Sequence, residues 1–238
     1  MACRNERHSR LFALNARAEC FLPGILSRIT EDAKIDHSTL DPLTLIGQVL
    51  EVYARIDSQI DEFNRSESFR CPPGCGRCCE NPDVEATVLE ILPLAWHLYE
   101  SNRAEEIYDR IETENPGSHR ACIHYAADPA IGGNGRCTVY EQRPYLCRMF
   151  GFSARYDKHG KTMPVFCKQH KSIWPEEIER ISQRVQDGVS SLPNYQNLHY
   201  ELYGIHPDLQ SQRFPINIAL KKAIEYLYFY RRRPDHAA

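Results

Sequence analysis

Apolar side chains recur at helical spacing in several stretches of the chain, and the clearest stretch begins at Asp41. Asp41 can cap a helix, and Pro42 suits a first helical turn. The apolar positions that follow lie on one helical face: Leu43, Ile46, Val49, Leu50, Tyr53, Ile56, Ile60 and Phe63. We therefore predict a core helix that ends shortly before the first group of cysteines.

The same kind of pattern predicts further helices on both sides of the cysteines. Asn81-Pro82-Asp83 is typical of a cap and turn, after which the chain is apolar at helical spacing as far as Tyr99, with Pro93 as a kink. Glu85 and Glu90 fall in that stretch, where we expect them on a solvated face. The predicted helices are 84–99, 103–114, 175–187 and 215–230, with a weaker pattern at Leu11, Leu14 and Phe21.

Short extended segments lie between these helices. The run 121–125 predicts a strand, and 153–165 predicts a hairpin that turns at Lys158-His159-Gly160. Together the elements predict a mainly α protein with a small irregular α+β cysteine-rich metal-binding core. We expect an N-terminal helical segment at 1–65, a cysteine-cluster module at 66–174, and a C-terminal helical segment at 175–238 that packs on the module.

Composition narrows the choice of partners. Of the 238 residues, 42% are hydrophobic, so the chain can bury a core without metal. Its formal net charge is -3, so a nucleic-acid partner is not expected. No apolar run reaches the length of a membrane span, and the N-terminus lacks the apolar core and cleavage site of a signal peptide. We expect a cytoplasmic protein. In that reducing compartment its ten cysteines indicate metal binding or catalysis instead of disulfides.

Four of the cysteines fall within segment 71–79, whose sequence is CPPGCGRCC. Thiolates are the ligands of zinc and of iron-sulfur clusters, and two or three intervening residues allow a tight turn to direct two sulfurs to one point. We expect Gly74 and Gly76 to supply the positive φ angles of that turn. Because neighbouring side chains tend to diverge, the Cys78-Cys79 doublet suggests two sites.

Four more cysteines follow downstream, so that eight thiols are available for two four-thiolate sites or for one cluster with additional thiols nearby. The predicted metal ligands are Cys71, Cys75, Cys78, Cys79, Cys122, Cys137, Cys147 and Cys167. His124 and His170 are alternative ligands for a mixed zinc site. Thiolate charge needs compensation, for which the candidates are Arg77, Arg143 and Arg148. The isolated Cys3 and Cys20 are not expected to bind metal, and the loop 132–135 is interpreted as a turn, since it lacks the residues of a phosphate-binding loop.

The cysteine group that ends in the Cys78-Cys79 doublet is followed by Gly135-Arg136-Cys137, Tyr140, Arg143-Pro144 and Cys147-Arg148. This combination resembles the YkgJ-type cysteine-cluster family, a zinc- or iron-chelating domain, over about residues 66–174. The family carries two residues between its first two cysteines, whereas Cys71 and Cys75 are separated by three. The resemblance implies metal binding. Members are also labelled iron-sulfur oxidoreductases, and related clusters occur in flagellin lysine methylases.

Three kinds of function remain open at this point. The first is a protein that holds an iron-sulfur cluster, for example a [4Fe–4S] cluster, through filled thiolate positions; the second is a zinc-chelating structural module. The third is an iron-sulfur enzyme, an oxidoreductase or a methyltransferase, with an open coordination position. The spacing of Cys71, Cys75 and Cys78 matches radical S-adenosylmethionine enzymes, but the chain lacks the strand-helix alternation of their barrel. The sequence identifies no catalytic residue.

Overall fold

The structure is a computed structural model that describes residues 41–114, 121–130 and 134–232. Within these ranges the chain forms ten α-helices, one 3-10 turn and six short strands, and the structure is 61% helical. The prediction of a mainly α protein with a small α+β part is confirmed. The apolar pattern at 11–21, the two isolated cysteines Cys3 and Cys20 and part of the loop 132–135 lie outside the described residues.

The helices in chain order are α1 (Pro42–Glu67), α2 (Arg77–Glu80), α3 (Val88–Glu100), α4 (Ala104–Glu114), α5 (Tyr145–Met149), α6 (Lys168–Ile173), α7 (Pro175–Gln186), α8 (Tyr195–Ile205), α9 (Pro207–Ser211) and α10 (Ile216–Arg231). A 3-10 turn spans Tyr140–Gln142. The strands are β1 (Glu85–Thr87), β2 (Tyr125–Ala127), β3 (Gly135–Cys137), β4 (Ser153–Tyr156), β5 (Thr162–Val165) and β6 (Arg213–Pro215).

Helix α1 begins as the sequence predicts. The Asp41 side chain accepts hydrogen bonds from the backbone N–H groups of Leu43 and Thr44, at 3.2 and 3.3 Å, and these bonds satisfy donors that have no partner within the helix. Most of the predicted stripe is buried, but Leu43 and Leu50 are 37% and 47% exposed. Their assignment to the core is therefore wrong, because both lie at the edge of the buried face.

The region before α3 differs from the prediction. Asn81 does form a turn, since its Oδ1 accepts from the Asp83 N–H at 3.1 Å, but the helix starts later. Residues 85–87 form β1, which pairs antiparallel with β6, and Thr87 then caps α3 by accepting from the Glu90 N–H. The pairing of β1 with β6 ties the chain just after the first cysteine group to the start of α10.

The strand predicted at 121–125 is also displaced. Residues 122–125 form a turn in which the Tyr125 N–H donates to the Cys122 carbonyl at 2.9 Å, and β2 begins only at Tyr125. It pairs antiparallel with β3 so that Tyr125 lies opposite Cys137. The hairpin at 153–165 is confirmed as β4 paired with β5. These short ladders position the downstream cysteines.

The core is formed mainly by α1, α3 and α10. Helix α10 packs along α3 and also contacts α4, whereas α1 contacts α3 and α5. Glu85 is exposed as expected, but Glu90 on α3 is fully buried, so its assignment to a solvated face is wrong. None of the helices in the described part of the chain combines the length and the apolar composition that crossing a bilayer requires.

Candidate metal centre

A cavity of about 300 Å³ lies between the cysteine segments, α3 and α10. Thiols and apolar side chains form most of its wall, and the apolar part includes Ile91 and Leu94 of α3 and Leu220 of α10. Cys167 is the predicted ligand that does not line it. The seven cysteines that line the cavity are Cys71, Cys75, Cys78, Cys79, Cys122, Cys137 and Cys147.

The first cysteine loop is shaped by two glycines with different roles. Gly74 has a φ of +71°, which confirms the predicted positive φ, and its carbonyl accepts from the Gly135 N–H at 2.9 Å. Gly76 has a φ of -100°, so the positive φ predicted there is wrong. A Cβ on Gly76 would lie 2.4 Å from a ring carbon of Tyr125. Gly76 is thus required by close packing, and this packing brings the first loop against β3.

The Cys78-Cys79 doublet lies on the short helix α2. The two Sγ atoms are 3.9 Å apart, and both residues line the same cavity, so the expected divergence of the doublet is wrong. Two thiolates that share one tetrahedral zinc ion with Zn–S bonds of about 2.3 Å lie about 3.8 Å apart. The doublet therefore has a sulfur separation suitable for one metal centre.

Cys122 is held in place by main-chain and side-chain hydrogen bonds. Its N–H donates to the Cys79 carbonyl at 2.9 Å. Asn217 of α10 then clamps the residues on either side: its Oδ1 accepts from the Ile123 N–H at 2.9 Å and its Nδ2 donates to the Ala121 carbonyl at 3.0 Å. Asn217 is 2% exposed. The sequence analysis missed it, although a lone asparagine in the apolar stripe of α10 was a usable signal.

The thiols of the cavity interact electrostatically. The pKa of Cys137 is lowered to about 7, first by its hydrogen bond with the Cys79 thiol, and the pKa of Cys78 is lowered to about 7 by the same partner. The pKa of Cys79, which shares both contacts, is raised. Burial raises the pKa of Cys122 to about 12 and also raises that of Cys147. Metal binding at these thiols therefore releases protons.

The three predicted compensating arginines have different roles. Arg143 lines the cavity, stacks 3.4 Å above the Tyr140 ring and donates to the Tyr140 carbonyl at 2.8 Å. Arg77 instead pairs with Glu80 at 2.9 Å. Arg148 is buried; it pairs with Asp57 and donates to the Arg143 carbonyl at 2.8 Å. Of the three, Arg143 is the one that lines the cavity, whereas Arg77 and Arg148 pair with carboxylates.

The two candidate histidines, His124 and His170, lie in different places. His124 is 2% exposed and lines the cavity, and its Nε2 has no hydrogen-bond partner among the described residues. Burial lowers its pKa to about 4, so the ring is neutral at physiological pH. His170 does not line the cavity. Its Nε2 lies 3.4 Å from the Cys71 Sγ, which places it on the side of Cys71 and Cys167.

The donor set suits a soft metal centre. All eight predicted cysteines are free thiols, and thiolates favour zinc and iron-sulfur clusters over hard cations. As the side chains stand, no three His, Cys, Asp or Glu residues in the described ranges are arranged to hold one ion. Cysteine side chains must therefore rotate about χ1 to bind.

A comparison with known protein families finds a match to the part of the chain that contains the eight cysteines. Residues 70–168 match the model of a family described as CxxCxxCC, "Putative zinc- or iron-chelating domain". The match covers less than half of the chain. The match supports metal binding by the cysteine cluster. The searches of curated proteins and of solved structures found no match to the chain.

The CxxCxxCC segment contains all eight predicted cysteine ligands but not the whole site. Asn217, which holds the Cys122 turn, and Leu220, which forms part of the cavity wall, lie on α10 well beyond it. His170 lies just past its end. The surroundings of the CxxCxxCC cysteines therefore depend on residues outside the segment that the family describes.

Proposed function

We propose that the protein holds an iron-sulfur cluster through the thiols that face one another in the inner part of the cavity. The charges that raise the pKa of Cys147, after burial, are those of Cys122, Cys78 and Cys137. Cys79 contacts both Cys78 and Cys137. These five thiols are called the inner group: Cys78, Cys79, Cys122, Cys137 and Cys147.

The volume of the cavity is the observation that carries this proposal. A single zinc ion with four thiolates at about 2.3 Å leaves no free space between the sulfurs. A cavity of about 300 Å³ lined by thiols is better matched to a polynuclear cluster. The apolar side chains of α3 and α10 on its wall would limit solvent access, which is one way in which proteins set the potential of such clusters.

The number of inner thiols supports a cluster with every position filled by protein. A [2Fe–2S] or [4Fe–4S] cluster needs about four cysteines, and the inner group offers five. Arg143 supplies a positive charge near the thiolates of Cys78 and Cys137. A filled coordination shell favours a binding or electron-transfer role over an enzyme that binds substrate at an open iron.

Serine substitution in the inner group tests the proposal. We expect Cys137→Ser and Cys147→Ser each to lower both the iron and the acid-labile sulfide of protein purified without oxygen, because serine removes a soft thiolate ligand. The matched control is Cys20→Ser, which should leave both contents unchanged.

Two results would count against the inner cluster. Iron and sulfide unchanged in both inner variants would remove these cysteines from the ligand set. Zinc in the unaltered protein, without sulfide and unaffected by cluster reconstitution, would favour the zinc-chelating function.

A further inference from the structure

A thiol and an imidazole meet outside the inner group. The Cys71 Sγ lies 3.4 Å from the His170 Nε2. Cys71 is exposed at the rim of the cavity, whereas His170 is fully buried. Two donors bound to one tetrahedral zinc, with Zn–S of about 2.3 Å and Zn–N of about 2.0–2.1 Å, lie about 3.5 Å apart. The observed separation therefore matches that of two ligands on one zinc ion.

Aromatic rings fix the orientation of the His170 ring. Its centroid lies 4.9 Å from that of Phe69, 5.0 Å from Phe152 and 6.0 Å from Trp174. A buried imidazole held by packing, with one nitrogen facing a thiol, is already oriented as a ligand.

Two more cysteines lie on the same side. Cys167 caps α6, and its Sγ accepts from the His170 N–H at 3.4 Å. The Cys75 N–H donates to the Pro72 carbonyl at 3.1 Å, which closes the turn between Cys71 and Cys75. Cys75 and Cys167 act electrostatically on Cys71 more strongly than the inner thiol Cys78 does. Cys122 and Cys147 are influenced electrostatically by thiols of the inner group, and Cys147 also by Arg143.

We propose that Cys71, Cys75, Cys167 and His170 form a second metal site, the outer site, which takes a zinc ion. Three thiolates and one imidazole are a ligand set of structural zinc sites, and four protein ligands fill the tetrahedral shell. A thiolate can bind metal while it accepts an N–H hydrogen bond, so Cys167 can serve as both cap and ligand. Cys75 reaches the ion by rotation of its side chain.

The outer site deepens the proposed function, because it assigns the cysteines that the inner group leaves over. It also gives the chain two sites with different metals: soft thiolates alone for iron-sulfur and a mixed set for zinc. The outer zinc would join the first cysteine loop to α6, two segments that are distant in sequence. Its role there is structural.

The test uses the full chain, purified without oxygen, reconstituted with iron and sulfide and then supplied with Zn²⁺. X-ray absorption at the zinc edge should give one nitrogen scatterer at about 2.0–2.1 Å together with sulfur scatterers at about 2.3 Å. Cys167→Ser is the sharpest variant, because serine also caps helices and only the soft ligand is lost. We expect loss of about one zinc ion per chain, with iron and sulfide unchanged.

His170→Gln should lose the same zinc and the nitrogen scatterer, and its matched control is His159→Gln, since His159 is exposed in the turn between β4 and β5. Zinc content unchanged in both Cys167→Ser and His170→Gln, or a zinc shell without nitrogen in the unaltered protein, would overturn the outer site. If the proposed inner cluster does not exist, the result is different: the unaltered protein lacks iron and sulfide but keeps the zinc that depends on His170.

Discussion

The carboxyl group of Glu90 is fully buried on α3. Its Oε1 accepts from the Gln210 amide at 3.1 Å, and its Oε2 has no hydrogen-bond partner in the described part of the chain. Burial raises the pKa of Glu90 from 4.5 to about 7, although the nearby charge of Arg213 acts in the opposite direction. The native protein therefore keeps a proton on Glu90 at a pH where the unfolded chain has lost it.

This proton predicts the direction of a pH effect on stability. Between about pH 4.5 and 7 the unfolded state binds fewer protons, so the free energy of unfolding falls as pH rises, by up to about 3 kcal/mol in total. Glu90→Gln cannot ionise and should flatten this slope. Chemical denaturation of the apo protein at several pH values measures the slope of the free energy of unfolding against pH. An equal slope in the variant would show that Glu90 does not control this range.

The spacing of the cysteines could be interpreted from sequence alone, because ligand chemistry depends on residue type and short separations. The state of Glu90 could not, since a glutamate on a helix is usually solvated and its burial depends on α9, distant in sequence. The role of Arg148 could not be predicted from the sequence either. Its neighbour Cys147 suggested that Arg148 compensates thiolate charge, but the guanidinium group forms an ion pair with Asp57 of α1.

At the scale of elements, α10 reaches the cysteine cluster through Asn217. The Asn217 side chain satisfies the Ile123 N–H and the Ala121 carbonyl on either side of Cys122. Asn217→Ala would leave these groups without their partner and should lower the free energy of unfolding by about 1–3 kcal/mol. Displacement of Cys122 should also weaken metal binding roughly 10–100-fold, the usual effect of losing an outer partner of a metal ligand.

Metal titration and denaturation of the Asn217→Ala protein check both effects. The matched control is Gln210→Ala, which removes a buried amide that contacts Glu90 and Thr87 instead of the cysteine turn. The control should lose stability without a specific loss of metal affinity. Equal metal affinity in the Asn217 variant and the unaltered protein would contradict the positioning role.

The long amphipathic helices could be predicted because their apolar spacing is strong, as in α1, α7 and α10. The elements near the cysteines could not be placed as well. The strand β1 exists because β6 pairs with it across the sequence, and the short helices α5 and α6 have too few residues for a periodic pattern. Candidate ligands could therefore be named from the sequence, whereas the elements that hold them could not be placed.

At the scale of the whole molecule, the division into three segments at 1–65, 66–174 and 175–238 stays a prediction. The cavity wall includes Ile216 and Leu220 of α10, and α1 packs against α3 and α5. Both flanks thus contribute to the surroundings of the central module. We infer that α10 shields the cavity on one side and that α1 completes the core.

The most direct test of the central claim is the iron and acid-labile sulfide content of the full chain, purified without oxygen and followed by absorption and EPR spectra. Anaerobic purification matters because zinc binds thiolates more tightly than ferrous iron does. We predict iron with matching sulfide and a signal that changes on reduction. Zinc without sulfide, still present after attempted reconstitution of a cluster, would contradict the inner iron-sulfur cluster.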